Sequence, residues 1–197
     1  MKIDRKRTAL LVLDVQNDLV PETAGIREYR TLDHISAVLR AARRRKLAVM
    51  HVTASVRRDF RDIPSNSPLW IGLRKKKQLI LGTRGGAIHP KAKPLPQELV
   101  INKTCVDPFL TTNLGQALQN ADVNTVIIVG LWTNYVVEAT ARHAADVGYR
   151  TYVVREACAS NDIFNHEFAM NRILPTICYV VGVDEVLSAL RKEIKKS

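Results

Sequence analysis

Two ionisable residues follow apolar runs at positions where they could act on a bound molecule. Asp14 ends the run TALLVLD at residues 8–14, and Lys103 follows a shorter run at residues 99–102. Continuous apolar runs of this kind predict strands buried on both faces of a parallel sheet. Such sheets bind ligands at the carboxyl ends of their strands. Asp14 and the region of Lys103 are therefore candidate site residues, able to offer an acid–base group and a positive charge.

The third candidate is the segment around Val136. Residues 126–129 (VIIV) predict a buried strand, Gly130 a turn, and the residues from Tyr135 a helix. A helix start at the end of a strand directs N–H groups and one side chain towards the ligand-binding edge, where thiol hydrolases place their cysteine. Here that side chain is the isopropyl group of Val136, which excludes attack by a thiolate from this position.

Strand-like and helix-like segments alternate along the chain. This order predicts an α/β fold, with a parallel sheet covered by helices on both faces and right-handed crossovers. The predicted strands are 8–14, 47–53, 99–102, 125–129, 151–154 and 177–180, and the predicted helices are 31–46, 112–121, 135–147, 166–174 and 184–194.

Residues 54–97 depart from this alternation. The stretch contains five prolines and the pair Gly85–Gly86. A structureless loop of this length is unusual in a compact domain, so we predict a short helix over 67–77 that begins at Pro68 and turns Trp70 and Leu73 inward. The segment is either a lid over the site, a contact between subunits, or a plain surface excursion.

The composition describes an ordinary globular chain with one unusual property, a net charge of +11. A length of 197 residues fits one domain spanning 1–197, and neither a membrane span nor a secretory leader is visible, so we expect a cytoplasmic protein with no membrane partner. No aromatic residues accompany the basic clusters, which argues against nucleic acid and favours a solvated face or a funnel for anions. The three cysteines have no metal-binding spacing and are expected to be buried packing residues.

An ordered set of short motifs resembles the isochorismatase-like hydrolases, also called the cysteine hydrolase superfamily. The set runs from about residue 8 to about residue 187, and several motifs in the same order are far more specific than any one alone. The matching motifs are LVLDVQND at 11–18, GT at 82–83 with IHP at 88–90, Lys103 with Phe109 and TNL at 112–114, GLWTNY at 130–135 and EACAS at 156–160.

The resemblance implies a six-stranded parallel sheet with an Asp, Lys and Cys triad at its carboxyl edge. By position the Asp is Asp14, the Lys is Lys103, and the Cys position falls on Val136. The family pattern also implies a non-proline cis peptide between Leu131 and Trp132. The Asp-x-His zinc pattern of nicotinamidases is missing, so we expect no metal and no cofactor.

Five residues near these motifs are predicted to contact a small-molecule ligand: Gln16, Phe109, Leu131, Trp132 and Tyr135. Members of the family are commonly oligomers, so we expect a homodimer or homotetramer.

The sequence thus predicts a hydrolase of the isochorismatase family that acts on a small, anionic molecule without a cysteine. Its best precedent is the vinyl-ether hydrolysis of true isochorismatases, which also lack the cysteine. The alternatives are a catalytically silent binding or scaffold member of the same family and, as a minor alternative, a basic protein associated with nucleic acid.

Overall fold

The computed structural model describes residue 1 and residues 3–191, and a six-stranded parallel sheet forms its centre. The strands lie in the order β3-β2-β1-β4-β5-β6. Every residue of the two central strands, β1 and β4, is buried, as strands covered by helices on both faces require. The strands are β1 (Thr8–Leu13), β2 (Ala48–Thr53), β3 (Leu99–Asn102), β4 (Thr125–Leu131), β5 (Arg150–Ala159) and β6 (Tyr179–Val181).

Helices cover both faces of the sheet, and the predicted fold class is confirmed. Ile35 of α1 and Val186 of α7 belong to one apolar core, and Leu118 of α4 and Ala141 of α5 belong to the other. The helices are α1 (Thr31–Arg45), α2 (Pro68–Lys76), α3 (Pro108–Thr111), α4 (Leu114–Asn120), α5 (Glu138–Asp146), α6 (Ile163–Phe168) and α7 (Val183–Arg191), with 3-10 turns at Pro90–Ala92 and Leu174–Thr176 and π turns at Thr133–Val137 and Ala169–Ile173.

Several element boundaries differ from the prediction. β5 continues to Ala159 because its second half pairs with the end of β4, with Cys158 opposite Gly130. The helix predicted over 166–174 begins earlier, at Ile163, because the Asp162 side chain accepts a hydrogen bond from the Asn165 N–H and caps it. The last three residues of the helix predicted over 184–194 lie outside the described residues.

Gly130 allows β1 and β4 to approach closely at the edge of the site. It has a φ of 151°, and a Cβ atom built on it would lie 2.2 Å from the Leu13 carbonyl oxygen. Only glycine fits where two backbones come this close. The close approach brings the residue after β1, Asp14, beside the turn that follows β4.

Residues 54–97 contain the short helix that the sequence predicts. It is α2, which starts at Pro68 and buries Trp70 and Leu73. The segment is fastened to the loop after β1: Asp18 accepts a hydrogen bond from the Leu79 N–H at 2.7 Å, and Glu22 forms an ion pair with Lys76 at 2.8 Å. It is therefore a packed part of the domain.

The cysteines are all free, and Cys158 is buried while Cys105 and Cys178 are partly exposed. Across residues 1 and 3–191, no helix has the length and apolar character that crossing a bilayer requires.

Candidate functional site

Asp14 and Lys103 meet at the carboxyl edge of the sheet, although β2 lies between their strands. Each continues the sheet by one hydrogen bond: the Asp14 N–H donates to the Val52 carbonyl at 2.9 Å and the Lys103 N–H to the Thr53 carbonyl at 2.8 Å. Strands two places apart are separated by about 10 Å. The long lysine side chain bridges this gap, and its Nζ lies 2.8 Å from Asp14 Oδ2.

This ion pair is almost completely withdrawn from solvent. The side chains of Lys103 and Asp14 are 3% and 7% exposed. Burial raises the pKa of the Asp14 carboxyl, and the charge and hydrogen bond of the Lys103 ammonium group oppose that shift. Asp14 Oδ1, the other carboxylate oxygen, is buried and has no hydrogen-bond partner among the described residues. Asp14 Oδ1 is therefore an acid–base oxygen that the described residues leave without a hydrogen bond.

A small cavity of about 30 Å³ adjoins the pair. Its wall brings together five of the residues singled out from the sequence: Asp14, Lys103, Trp132, Tyr135 and Val136. The roof comes from α2, which supports the lid interpretation of this segment. The remaining lining residues are one tryptophan and six aliphatic residues: Trp70, Leu19, Ala54, Leu69, Leu73, Leu79 and Val106.

The other three residues predicted to contact a ligand lie outside the cavity. The amide of Gln16 is used by the protein: its Nε2 donates to the Gly86 carbonyl at 2.7 Å and its Oε1 accepts from the Ala54 N–H at 2.8 Å. The ring of Phe109 stacks on His143, with ring centres 4.4 Å apart. Leu131 is a fully buried core residue. All three shape the surroundings of the site and do not line it.

The turn after β4 has an unusual backbone. Trp132 has a φ of 29°, and the next five residues form a π turn that continues into α5. Three side-chain hydrogen bonds hold this turn: Thr133 with His166 at 2.8 Å, the Thr140 hydroxyl donating to the Val136 carbonyl at 2.6 Å, and the Ser160 hydroxyl donating to Asn134 Oδ1. The cis peptide implied for Leu131–Trp132 is not present, since every peptide bond of the described residues is trans.

The sequence did not point to Leu19, Leu79 and Val106 as cavity residues. Leu19 and Leu79 belong to segments joined by the Asp18 hydrogen bond to the Leu79 N–H, a contact between residues 61 positions apart. An apolar residue in a loop carries no signal for such a contact. Among residues 1 and 3–191, no group of three or more His, Cys, Asp or Glu side chains is arranged to hold a metal ion.

Comparisons with known proteins agree with this architecture. The model of the isochorismatase domain matches residues 8–185. The chain is 28% identical to the uncharacterized isochorismatase family protein YecD of Escherichia coli O157:H7, over 96% of this chain and 100% of that protein. It is 31% identical to streptothricin hydrolase of Streptomyces noursei, over 79% of this chain and 50% of that enzyme.

Among solved structures, a cysteine hydrolase from Pseudomonas syringae pv. phaseolicola 1448A superimposes with a TM-score of 0.83 at 22% identity, covering 96% of this chain and 95% of that chain. That likeness shows a shared fold. The family assignment rests on the domain match, which spans residues 8–185 and so includes Asp14, Lys103 and Gly130. The chain belongs to the isochorismatase family.

Proposed function

We propose that this chain is a hydrolase in which Asp14 is the acid–base group and water, in place of a cysteine, is the nucleophile. One observation carries the proposal. Lys103 Nζ lies 2.8 Å from Asp14 Oδ2, while Oδ1 of this cavity-lining residue is buried and has no hydrogen-bond partner among the described residues. The carboxyl group is thus fixed at one oxygen and available at the other, which is the arrangement that proton transfer to a bound molecule needs.

The choice of water follows from the side chains around the cavity. We propose that Val136 stands where cysteine hydrolases carry their nucleophile, and of the described lining residues none is cysteine, serine or threonine. The thiols of Cys158 and Cys178 lie elsewhere, and burial raises the pKa of each to about 12. A thiol in that state is almost entirely protonated and is a poor nucleophile.

The best precedent is acid-catalysed cleavage of a vinyl ether. Asp14, in its protonated form, gives its proton to the vinyl carbon, and water adds to the resulting oxocarbenium ion. The proton released by that water returns to Asp14, and the hemiketal separates into a ketone and an alcohol. In the pair with Lys103 Asp14 is the carboxylate, and burial, which raises its pKa, eases the uptake of the proton that this step consumes.

The charged groups of the cavity bear on the charge of the substrate. The net charge of +11 led to the prediction of an anionic substrate. The cavity offers little to hold one, because Lys103 is the one cationic group among its described lining residues and is already paired with Asp14. The proposal therefore specifies a small substrate and assigns the excess positive charge to the outer surface.

The test is turnover by the full chain on vinyl ethers, amides and carbamoyl compounds, with Asp14→Asn compared with the wild type. Loss of a general acid lowers kcat by about 10²- to 10⁴-fold, and Asp14→Asn should do so while the far-UV circular dichroism stays unchanged. The matched control is Asp146→Asn, the same substitution at an exposed position on α5. Turnover by Asp14→Asn at the wild-type rate would contradict the proposal.

A second candidate is a binding member of the family without turnover. The lining favours it, since the described cavity residues include no cysteine, serine or threonine that could act as a nucleophile. Saturable binding of a small molecule without turnover of any compound in the panel would establish this alternative.

A further inference from the structure

Two buried polar atoms of the cavity wall have no hydrogen-bond partner among the described residues. They are Oδ1 of Asp14 and Nε1 of Trp132. A buried polar group without a partner costs about 1–3 kcal/mol, so folded proteins rarely leave one unsatisfied without a reason. Here one hydrogen-bond donor and one acceptor of the same wall remain without a partner among the described residues, and a molecule with one acceptor and one donor would complement them.

The same two residues have strained backbones. Asp14 has a φ of 51° and Trp132 a φ of 29°, values that residues other than glycine seldom adopt. Each comes directly after a central strand, β1 and β4, and these strands are neighbours in register, with Leu13 opposite Gly130. Strain of about 1–3 kcal/mol per residue persists where the surrounding fold enforces it, and it concentrates at functional sites. The fold therefore sets the backbone of both residues at the point where the two central strands end.

The charge balance of the cavity decides what kind of ligand fits. Asp14 and Lys103 neutralise each other at 2.8 Å, and the rest of the described lining is uncharged. An anion placed there would be a buried charge without a partner, which is far more costly than a neutral polar group whose hydrogen bonds are made.

We propose that Trp132 is the ligand-positioning and specificity-determining residue of this cavity. Its indole N–H donates to an acceptor oxygen of a small, uncharged ligand, and an N–H or O–H of the same ligand donates to Asp14 Oδ1. The inference rests on the proposed function for the position of the site and for the role of Asp14. It does not require turnover, so binding alone can test it.

The chain supplies its own reporter, because both of its tryptophans, Trp70 and Trp132, line the cavity. Intrinsic fluorescence of the full chain is titrated with three probes of nearly equal size. Acetamide carries both an acceptor and a donor, acetone carries the acceptor alone, and acetate is the charged counterpart. The best very small ligands gain at most about 1.5 kcal/mol per non-hydrogen atom, so the titration extends well into the millimolar range.

The wild type should bind acetamide at least about tenfold more tightly than acetate, with acetone between them. Trp132→Phe keeps an aromatic ring but removes the N–H. It should weaken the binding of acetamide and of acetone alike by about two- to tenfold, the worth of one net hydrogen bond, because both probes present a carbonyl oxygen to the indole N–H. Trp70→Phe is the matched comparison: it removes an indole from the same wall whose N–H is not among the unpartnered buried atoms, and it should weaken acetamide binding by less than Trp132→Phe does.

Three results would overturn the inference: acetate binding as tightly as acetamide, Trp132→Phe binding acetamide like the wild type, or no saturable binding of any probe. A thermal melt of Trp132→Phe confirms that the variant is folded before its affinities are compared. The proposed function fails differently, through unchanged turnover in Asp14→Asn. If the chain prefers acetamide but turns over no substrate, the inference about Trp132 stands and the proposed hydrolase function fails.

Discussion

Replacing Lys103 with methionine tests the electrostatic basis of the site. The substitution keeps most of the side-chain volume but leaves Asp14 buried opposite an apolar group. Breaking a buried ion pair by removing one partner costs about 3–5 kcal/mol. For a chain of this size each kcal/mol shifts Tm by about 2–4 °C, so the melting temperature of Lys103→Met should fall by about 6–20 °C at neutral pH. The control is Lys6→Met, which changes an exposed lysine and should alter Tm by much less.

The loss should depend on pH in a definite direction. Burial already raises the pKa of Asp14, and without the Lys103 ammonium group it rises further. An acid whose pKa is raised by folding contributes stability that is complete below its unfolded pKa of about 3.9 and is lost as the pH rises through the folded value. The difference between wild type and Lys103→Met should therefore be small near pH 4 and grow towards neutral pH, as measured by urea unfolding.

A double-mutant cycle with Asp14→Asn completes the test. Asp14→Asn/Lys103→Met contains no buried charge at this position, so its loss should be smaller than the sum of the two single losses by about 1–3 kcal/mol. Strictly additive losses, or a Lys103→Met loss below about 1 kcal/mol that is equal at acid and neutral pH, would refute the reasoning.

The remaining predictions address other parts of the fold and the site. Gly130→Ala should lower the free energy of unfolding by at least about 3 kcal/mol, because its Cβ would lie 2.2 Å from a carbonyl oxygen, whereas Gly72→Ala, in open space on α2, should raise it by about 1 kcal/mol in the same urea titration. A further prediction concerns the pKa of Glu98. Burial alone would raise this pKa, but hydrogen bonds from Arg43, the Leu95 N–H and His51 lower it to about 2. The stability advantage of the wild type over Glu98→Gln should thus be complete above the ordinary value of 4.5 and disappear as the pH falls towards 2; an advantage independent of pH would contradict this. Val136→Cys should gain a thiol that iodoacetamide labels at neutral pH faster than any native cysteine; since Val136 is buried, equal labelling would show that the turn does not both activate a thiol and admit the reagent.

The sequence determined the fold class because apolar runs and helical periodicity are local signals that repeat along the chain. The predicted short helix over 67–77 is confirmed for the same reason: a proline start and two inward apolar side chains fix α2 whatever it packs against. The predicted ends of an element differ from the observed ones where pairing between strands sets them. β5 runs on to Ala159 because it continues beside the end of β4, and nothing in residues 155–159 alone announces that partner.

At the site, the sequence by itself determined which residue types stand at the carboxyl ends of the strands: Asp14, Lys103, and an isopropyl group at Val136 where no thiolate can form. Their meeting depended on the order of the strands, since only a sheet with β2 between β1 and β3 places Lys103 one side-chain length from Asp14. Tertiary structure also decided which neighbours face the cavity. Gln16 and Phe109 belong to motifs that also contain site residues, yet Gln16 is hydrogen-bonded to Gly86 and Phe109 stacks on His143. Hydrogen bonds and packing between distant segments decide where such a side chain points, and no local pattern encodes those contacts.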